Sequence, residues 1–199
     1  VTGVVQGVGF RPFVHRLATE AGLDGFVGND STRVFIEVTG PRERIDEFAR
    51  RLVAEAPPLA TVESVTRTAS GATDERGFRI VESRCVAGAR TLIAPDTAVC
   101  DDCVSEMNNP GDRRFGHAFI TCTSCGPRFT IIRDLPYDRP NTTMAAFDMC
   151  DACAAEYDDP TDRRYHAQPI CCHDCGPVLH YRSAHGGGAA TFDDDPLAA

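Results

Sequence analysis

VVQGVGFRPF, residues 4–13, sets a flexible, almost uncharged turn between a short apolar strand and an Arg-Pro pair. The strand ends near Val5. Beyond the turn, Phe10, Val14, Leu17, Ala18 and Ala21 recur on one helix face, Pro12 suits a first turn, and Gly22 ends the run. The segment therefore reads strand, glycine turn, helix. Glycine has no Cβ, so the turn can aim its N–H groups inward. Those donors, with the positive end of a helix beginning near Pro12, form a concave anion site. Arg11 at its edge offers a planar fork that matches phosphate geometry. The loop alone also fits an ordinary glycine turn beside a solvated arginine.

Further along, DGFVGND and RVFIEVTG read as two strands, with Val34, Ile36 and Val38 alternating against Arg33, Phe35 and Glu37. GNDSTR between them is a hairpin turn. A second helix carries Ile45, Phe48, Ala49, Leu52 and Val53 on one face and stops at Pro57-Pro58. Strands near 62–68 and 77–82 complete a β-α-β-β-α-β order with a short last strand. That is the ferredoxin-like α+β arrangement, with two helices on one face of an antiparallel sheet.

The 199 residues leave room for one large domain or two small ones. A net charge of −9 argues against a nucleic-acid backbone or an anionic membrane as the main partner. No apolar run approaches the roughly 20 residues of a bilayer span. No secretory signal is visible, which places the expectation in the cytoplasm.

All ten cysteines lie between residues 85 and 175. Eight of them form four Cys-x-x-Cys knuckles: Cys100/Cys103, Cys122/Cys125, Cys150/Cys153 and Cys172/Cys175. A shift of fifty residues lays CDDCVSEMNNPGDRRF on CDACAAEYDDPTDRRY, and CTSCGP on CHDCGP, so the region is an internal duplication. A knuckle places two sulfurs at the separation of two vertices of a tetrahedral zinc site. Four knuckles in a repeated frame imply two structural Cys₄ zinc ions, where a redox motif would be single. One ion per repeat is the simplest pairing, and an interleaved pairing remains open. Gly126 and Gly176 follow the second knuckles, where backbone passes close to the sulfurs. Cys85 and Cys171 are left over, Cys171 as a bystander beside Cys172. His117, His166 and His173 are not needed as ligands. DRRF and DRRY (residues 112–115 and 162–165) read as a repeated structural turn with a salt bridge.

VTGVVQGVGFRPFV followed by GLDGFVGND resembles the acylphosphatase family over essentially residues 1–83. The resemblance implies that the loop Gln6, Gly7, Val8, Gly9, Phe10 and Arg11 holds the phosphate of an acyl phosphate. It also implies that Asn29 orients the attacking water, so that Arg11 and Asn29 are the catalytic pair. The chemistry suits them, because Arg neutralises phosphoryl oxygens and an amide both donates to and accepts from one water. Read without the resemblance, Asn29 is a turn residue, and His15 is a surface or packing residue.

An acylphosphatase-like domain followed by Cys-x₂-Cys-x₁₈-Cys-x₂-Cys, twice, resembles the N-terminal part of the HypF carbamoyltransferases of [NiFe]-hydrogenase maturation. That resemblance implies a domain over 1–83, a linker over 84–96, a duplicated zinc-finger domain over 97–181, and a connector over 182–199 leading to a YrdC-like domain not contained in these residues. It further implies hydrolysis of carbamoyl phosphate here, with ATP used only downstream and HypE as the protein that receives the carbamoyl group. The alternative is a non-catalytic module that binds an acyl phosphate and is stabilised by zinc for protein interaction.

Overall fold

The computed structural model describes residues 1–71, 76–86 and 92–179, so the connector expected over 182–199 lies outside the described residues. The first half runs β1 (Thr2–Val4), α1 (Phe10–Glu20), β2 (Asp24–Asn29), β3 (Val34–Thr39), α2 (Arg42–Ala54), β4 (Thr61–Ser64) and β5 (Phe78–Ile80). β2 pairs antiparallel with β3, from Asp24 opposite Thr39 to Asn29 opposite Val34, and parallel with β5. β1 pairs antiparallel with β4. The two ladders meet where Val1 and Val34 exchange both backbone hydrogen bonds, at 2.8 and 3.0 Å. The strand order is therefore β4-β1-β3-β2-β5.

Both helices pack on this sheet. Phe10, Phe13, Val14, Leu17 and Ala18 of α1 and Phe48 and Leu52 of α2 are buried with Val5, Val27 and Val34. Each such large side chain contributes about 1.5–3 kcal/mol when fully buried. The ferredoxin-like α+β fold is the observed one. α1 begins at Phe10, two residues before the expected start, because Gly9 takes a left-handed cap conformation (φ 73°) and Pro12 falls third in the helix. Val53 is 51% exposed, so the buried face of α2 is narrower than its apolar spacing suggests. β4 ends at Ser64, short of the expected 68.

The described ends of the expected linker dock on this domain. Arg84 N donates to Asn29 O at 2.9 Å, and Ala94 is buried in the first core. Beyond it, α3 (Asp101–Met107) and α4 (Asp151–Asp158) are helices of about two turns each at matching places of the repeat, among short 3₁₀ turns. Cores of this size form around sulfur: Cys103, Ile120, Cys122 and Cys125 in one repeat, Cys153, Ala167, Ile170 and Cys172 in the other. Among the described residues no helix is long and apolar enough to cross a membrane.

Candidate active site and metal centres

The β1–α1 turn and the end of β2 lie side by side. Asp30 closes the β2–β3 hairpin, accepting from Thr32 N at 2.7 Å and Arg33 N at 2.9 Å, which fixes Asn29 as the last residue of β2. The Gln6 side chain ties the turn to that hairpin, donating from Nε2 to Asp30 O at 2.7 Å. Gly7 and Gly9 both have φ of 73°, the left-handed region in which glycine is unstrained. Among the described residues, the N–H groups of Gly7, Val8, Gly9, Phe10 and Arg11 have no hydrogen-bond acceptor.

A cavity of about 30 Å³ lies against this turn, lined by Gly7, Gly9, Phe10, Arg11 and Asn29 from the first domain. Gln6 and Val8 lie behind the lining, Gln6 as a buried strut. Asn29 is 1% exposed, and its Oδ1 has no hydrogen-bond partner among the described residues. A buried acceptor of this kind costs about 1–3 kcal/mol unless something donates to it. The arrangement can surround a small oxyanion with amide donors and a cation while offering one acceptor to a water.

The opposite wall comes from the cysteine-rich half. Thr123, Tyr137, His166 and Gln168 line the same cavity. A Cβ on Gly7 would stand 2.9 Å from Pro127 Cβ, and one on Gly9 would stand 3.1 Å from Thr123 O, so both glycines also permit this close docking. Tyr137 N donates to Gln6 Oε1 at 3.2 Å. Asp138 pairs with Arg11, Oδ1 to Nη2 at 2.7 Å, and Arg11 Nη1 donates to Ser83 Oγ at 3.3 Å. The guanidinium is thus held from one side by a carboxylate that the first domain does not possess.

These second-wall residues escape a reading of the first 83 residues because they are distant in sequence. Two signals point to them. Tyr137 and Asp138 sit in the 24-residue spacer between Cys125 and Cys150, beyond the Cys-Gly-Pro that both repeats share. His166 stands where the first repeat has Gly116.

His15 is packed edge-on against Phe78 and Tyr165, and burial lowers its pKa. His166 is held at about 4, first by burial and then by the charge of Arg11, so its ring is neutral.

The eight knuckle cysteines gather into two clusters, Cys100/Cys103/Cys122/Cys125 and Cys150/Cys153/Cys172/Cys175, which resolves the pairing as one centre per repeat. The sulfurs of each cluster all lie within 4.8 Å of one another. Neighbouring sulfurs stand 3.5 and 3.8 Å apart in the first cluster, and 3.6, 3.7 and 3.8 Å in the second. A tetrahedral ion with Zn–S of about 2.3 Å requires edges of about 3.8 Å, so the thiolate sets fit zinc. Cys100 and Cys150 occupy the N-cap positions of α3 and α4, and a hydrogen bond from the Cys153 backbone lowers the Cys150 thiol to about 7.

Cys85 is exposed and Cys171 buried, both outside the clusters, as are His117, His166 and His173. A Cβ added at Gly176 would meet Cys172 O at 2.8 Å and Cys171 Sγ at 3.0 Å, the latter a sulfur outside the clusters. A Cβ at Gly126 would meet Leu59 Cδ1 at 2.9 Å, so this glycine makes room for the first domain.

The DRR turns repeat as expected, with Asp112 and Asp162 each accepting from the backbone N–H two residues on, at 2.8 and 2.7 Å. Their ion pairs, however, cross to the other repeat. Arg113 and Arg114 grip Glu156 of α4, and Arg163 and Arg164 grip Glu106 of α3. The crossing extends to the metal clusters. Arg113 Nη2 donates to Cys153 Sγ at 3.2 Å, and Arg163 Nη1 donates to Cys103 Sγ at 3.3 Å. Arg114 Nε donates to Cys171 O at 2.9 Å, and Arg164 Nε donates to the matching Thr121 O at 3.1 Å. Glu156 is held down to about 2, with the two arginines outweighing burial. Each repeat therefore supplies the cations that face the other repeat's sulfurs.

Comparison with known proteins agrees with this architecture. The acylphosphatase family matches residues 1–80, and the HypF finger family matches 99–132 and 149–181. The carbamoyltransferase HypF2 of Cupriavidus necator is 52% identical over 149 residues, covering 74% of this chain and 18% of that protein. An acylphosphatase of Caldivirga maquilingensis is 45% identical over 83 residues, which cover 40% of this chain and 86% of the relative. A crystal structure of full-length HypF in a phosphate- and nucleotide-bound form superposes with a TM-score of 0.86 at 42% identity, over 93% of this chain and 25% of the other. The chain thus spans about a fifth of the length of that HypF2 relative.

Proposed function

Since this chain belongs to the HypF family, with an acylphosphatase domain over residues 1–80 followed by the HypF finger, we propose that it hydrolyses carbamoyl phosphate in the cavity between the two halves. The phosphoryl group sits against the amides of Gly7 to Arg11, with Arg11 neutralising its oxygens. A water donating to Asn29 Oδ1 attacks phosphorus. The bond from phosphorus to the acyl oxygen breaks, carbamate leaves with that electron pair, and the water's proton passes to the released phosphate or to solvent. An acyl phosphate carries a good leaving group, so no strong base is required. The observation that carries this reading is the buried, unpartnered Asn29 Oδ1 beside amides without acceptors and the Arg11 guanidinium.

Each cysteine cluster holds one zinc ion. With four thiolates on a tetrahedral ion no position is left for substrate, so the ions stabilise the fold that carries the second wall. In a longer HypF protein the carbamate would pass on to ATP-dependent activation and transfer to HypE. The test is release of inorganic phosphate from carbamoyl phosphate by the zinc-replete chain. Asn29→Ala should lower kcat by about 10²–10³-fold, as loss of one preorganised polar group does. Equal rates for the two proteins would overturn the reading.

A further inference from the structure

The first and second repeats make the same turn after their DRR segments. Gly116 N donates to Met107 O at 2.8 Å, and His166 N donates to Tyr157 O at 2.9 Å, fifty residues on. Both residues are left-handed, with φ of 67° at Gly116 and 55° at His166. His166 is the one non-glycine with positive φ among the described residues. A Cβ at Gly116 would touch nothing within 4 Å, so the turn itself is satisfied by glycine and gains nothing from a ring. Backbone strain on a bulky residue persists where the surroundings over-determine it, and it concentrates at functional sites.

Here the surroundings do over-determine it. Gln168 Nε2 donates to His166 O at 2.7 Å and to Tyr157 Oη at 2.9 Å, clamping the turn. The imidazole is set between Tyr157 and Tyr165, with ring centroids at 4.9 and 4.6 Å. No described residue hydrogen-bonds its ring nitrogens, and the residue lines the cavity of Arg11 and Asn29. A neutral imidazole carries one N–H donor and one acceptor. The acyl end of carbamoyl phosphate offers an amino N–H to that acceptor nitrogen, whereas an acetyl end offers it only a methyl group.

We infer that His166 recognises the acyl end of the bound acyl phosphate and selects carbamoyl over acetyl, an assignment that rests on the acyl-phosphate reading of this cavity. Gln168 is a positioning residue that holds the turn.

His166→Gly restores the residue of the first repeat and removes the strain, so the variant should fold. In the zinc-replete chain, the carbamoyl-over-acetyl ratio of kcat/KM should fall about tenfold, as loss of a good hydrogen bond between polar groups does. A ratio within twofold of the wild type would overturn the assignment. Inorganic phosphate has no acyl end, and its inhibition constant should stay within about threefold. A tenfold loss there as well would show a general collapse of the cavity and would also overturn the assignment. Should the wild-type chain hydrolyse neither compound, the catalytic reading fails separately, and binding decides. Carbamoyl phosphate bound more weakly by His166→Gly, with phosphate affinity kept, supports the role of His166. Parallel changes in both ligands, or none, contradict it.

Discussion

Replacing Arg114 by methionine should weaken the metal centre of the other repeat. Arg114 is 1% exposed, and methionine of similar length fills most of its volume without its donors. Three contacts disappear together. Glu156 loses partners at 3.0 and 2.5 Å but keeps Arg113 at 2.7 Å, so its charge is not stranded. The Cys171 carbonyl loses the Nε donor at 2.9 Å, and an unsatisfied buried acceptor costs about 1–3 kcal/mol. Cys153 Sγ loses one of two guanidinium donors, at 3.4 Å. Loss of such an outer hydrogen bond typically lowers metal affinity about 10–100-fold, or roughly 1.4–2.7 kcal/mol. Cadmium NMR on the metal-loaded chain, titrated with a chelator, distinguishes the two centres. In Arg114→Met the Cys150/Cys153/Cys172/Cys175 centre should empty first, and in Arg163→Met, which removes donors at 3.3 and 3.4 Å to Cys103 Sγ, the Cys100/Cys103/Cys122/Cys125 centre should. If either variant weakens the centre of its own repeat, or both centres equally, the crossed bracing carries no energetic weight.

Two further outcomes follow from the contact between the halves. Asp138→Asn keeps an oxygen for Arg11 but removes a negative charge from the anion's surroundings, so inorganic phosphate should inhibit several-fold more tightly, on the order of 1 kcal/mol at low salt; weaker inhibition would mean that the carboxylate's charge is needed to place the guanidinium. His166 is held at about 4 by burial and by Arg11, with Asp138 opposing, whereas an unfolded histidine titrates near 6.5. The unfolded chain therefore takes up the proton first as pH falls, and this residue's contribution to stability is lost between pH 6.5 and about 4. NMR titration of the His166 ring should give a midpoint near 4, and a midpoint above 6 would contradict its neutral, enclosed placement.

The first domain was legible because local chemistry and tertiary packing agree there. Phe10, Val14, Leu17 and Ala18 mark the helix and are its buried face, and the glycine turn before them is the one that borders the cavity. The knuckle pairing was legible as well, since a ligand set written twice at one spacing favours one centre per copy. What stayed hidden depends on contacts between distant segments. Asp138 reaches Arg11 across 127 positions of chain, and nothing local to either residue records the pair. The crossed arginines look the same in sequence whether they serve their own repeat or the other, and only packing decides. Val53 misled because helical spacing marks an apolar face without giving its width.

The central claim is that the amides of residues 7–11 and the Arg11 guanidinium converge on one tetrahedral oxyanion. The most direct measurement is a titration of the isotopically labelled, zinc-replete chain with inorganic phosphate, followed by amide NMR. Saturable shifts should concentrate on Gly7, Val8, Gly9, Phe10 and Arg11 and on the Asn29 side chain, and Arg11→Ala should abolish them. Shifts centred elsewhere, or equal binding by Arg11→Ala, would contradict it.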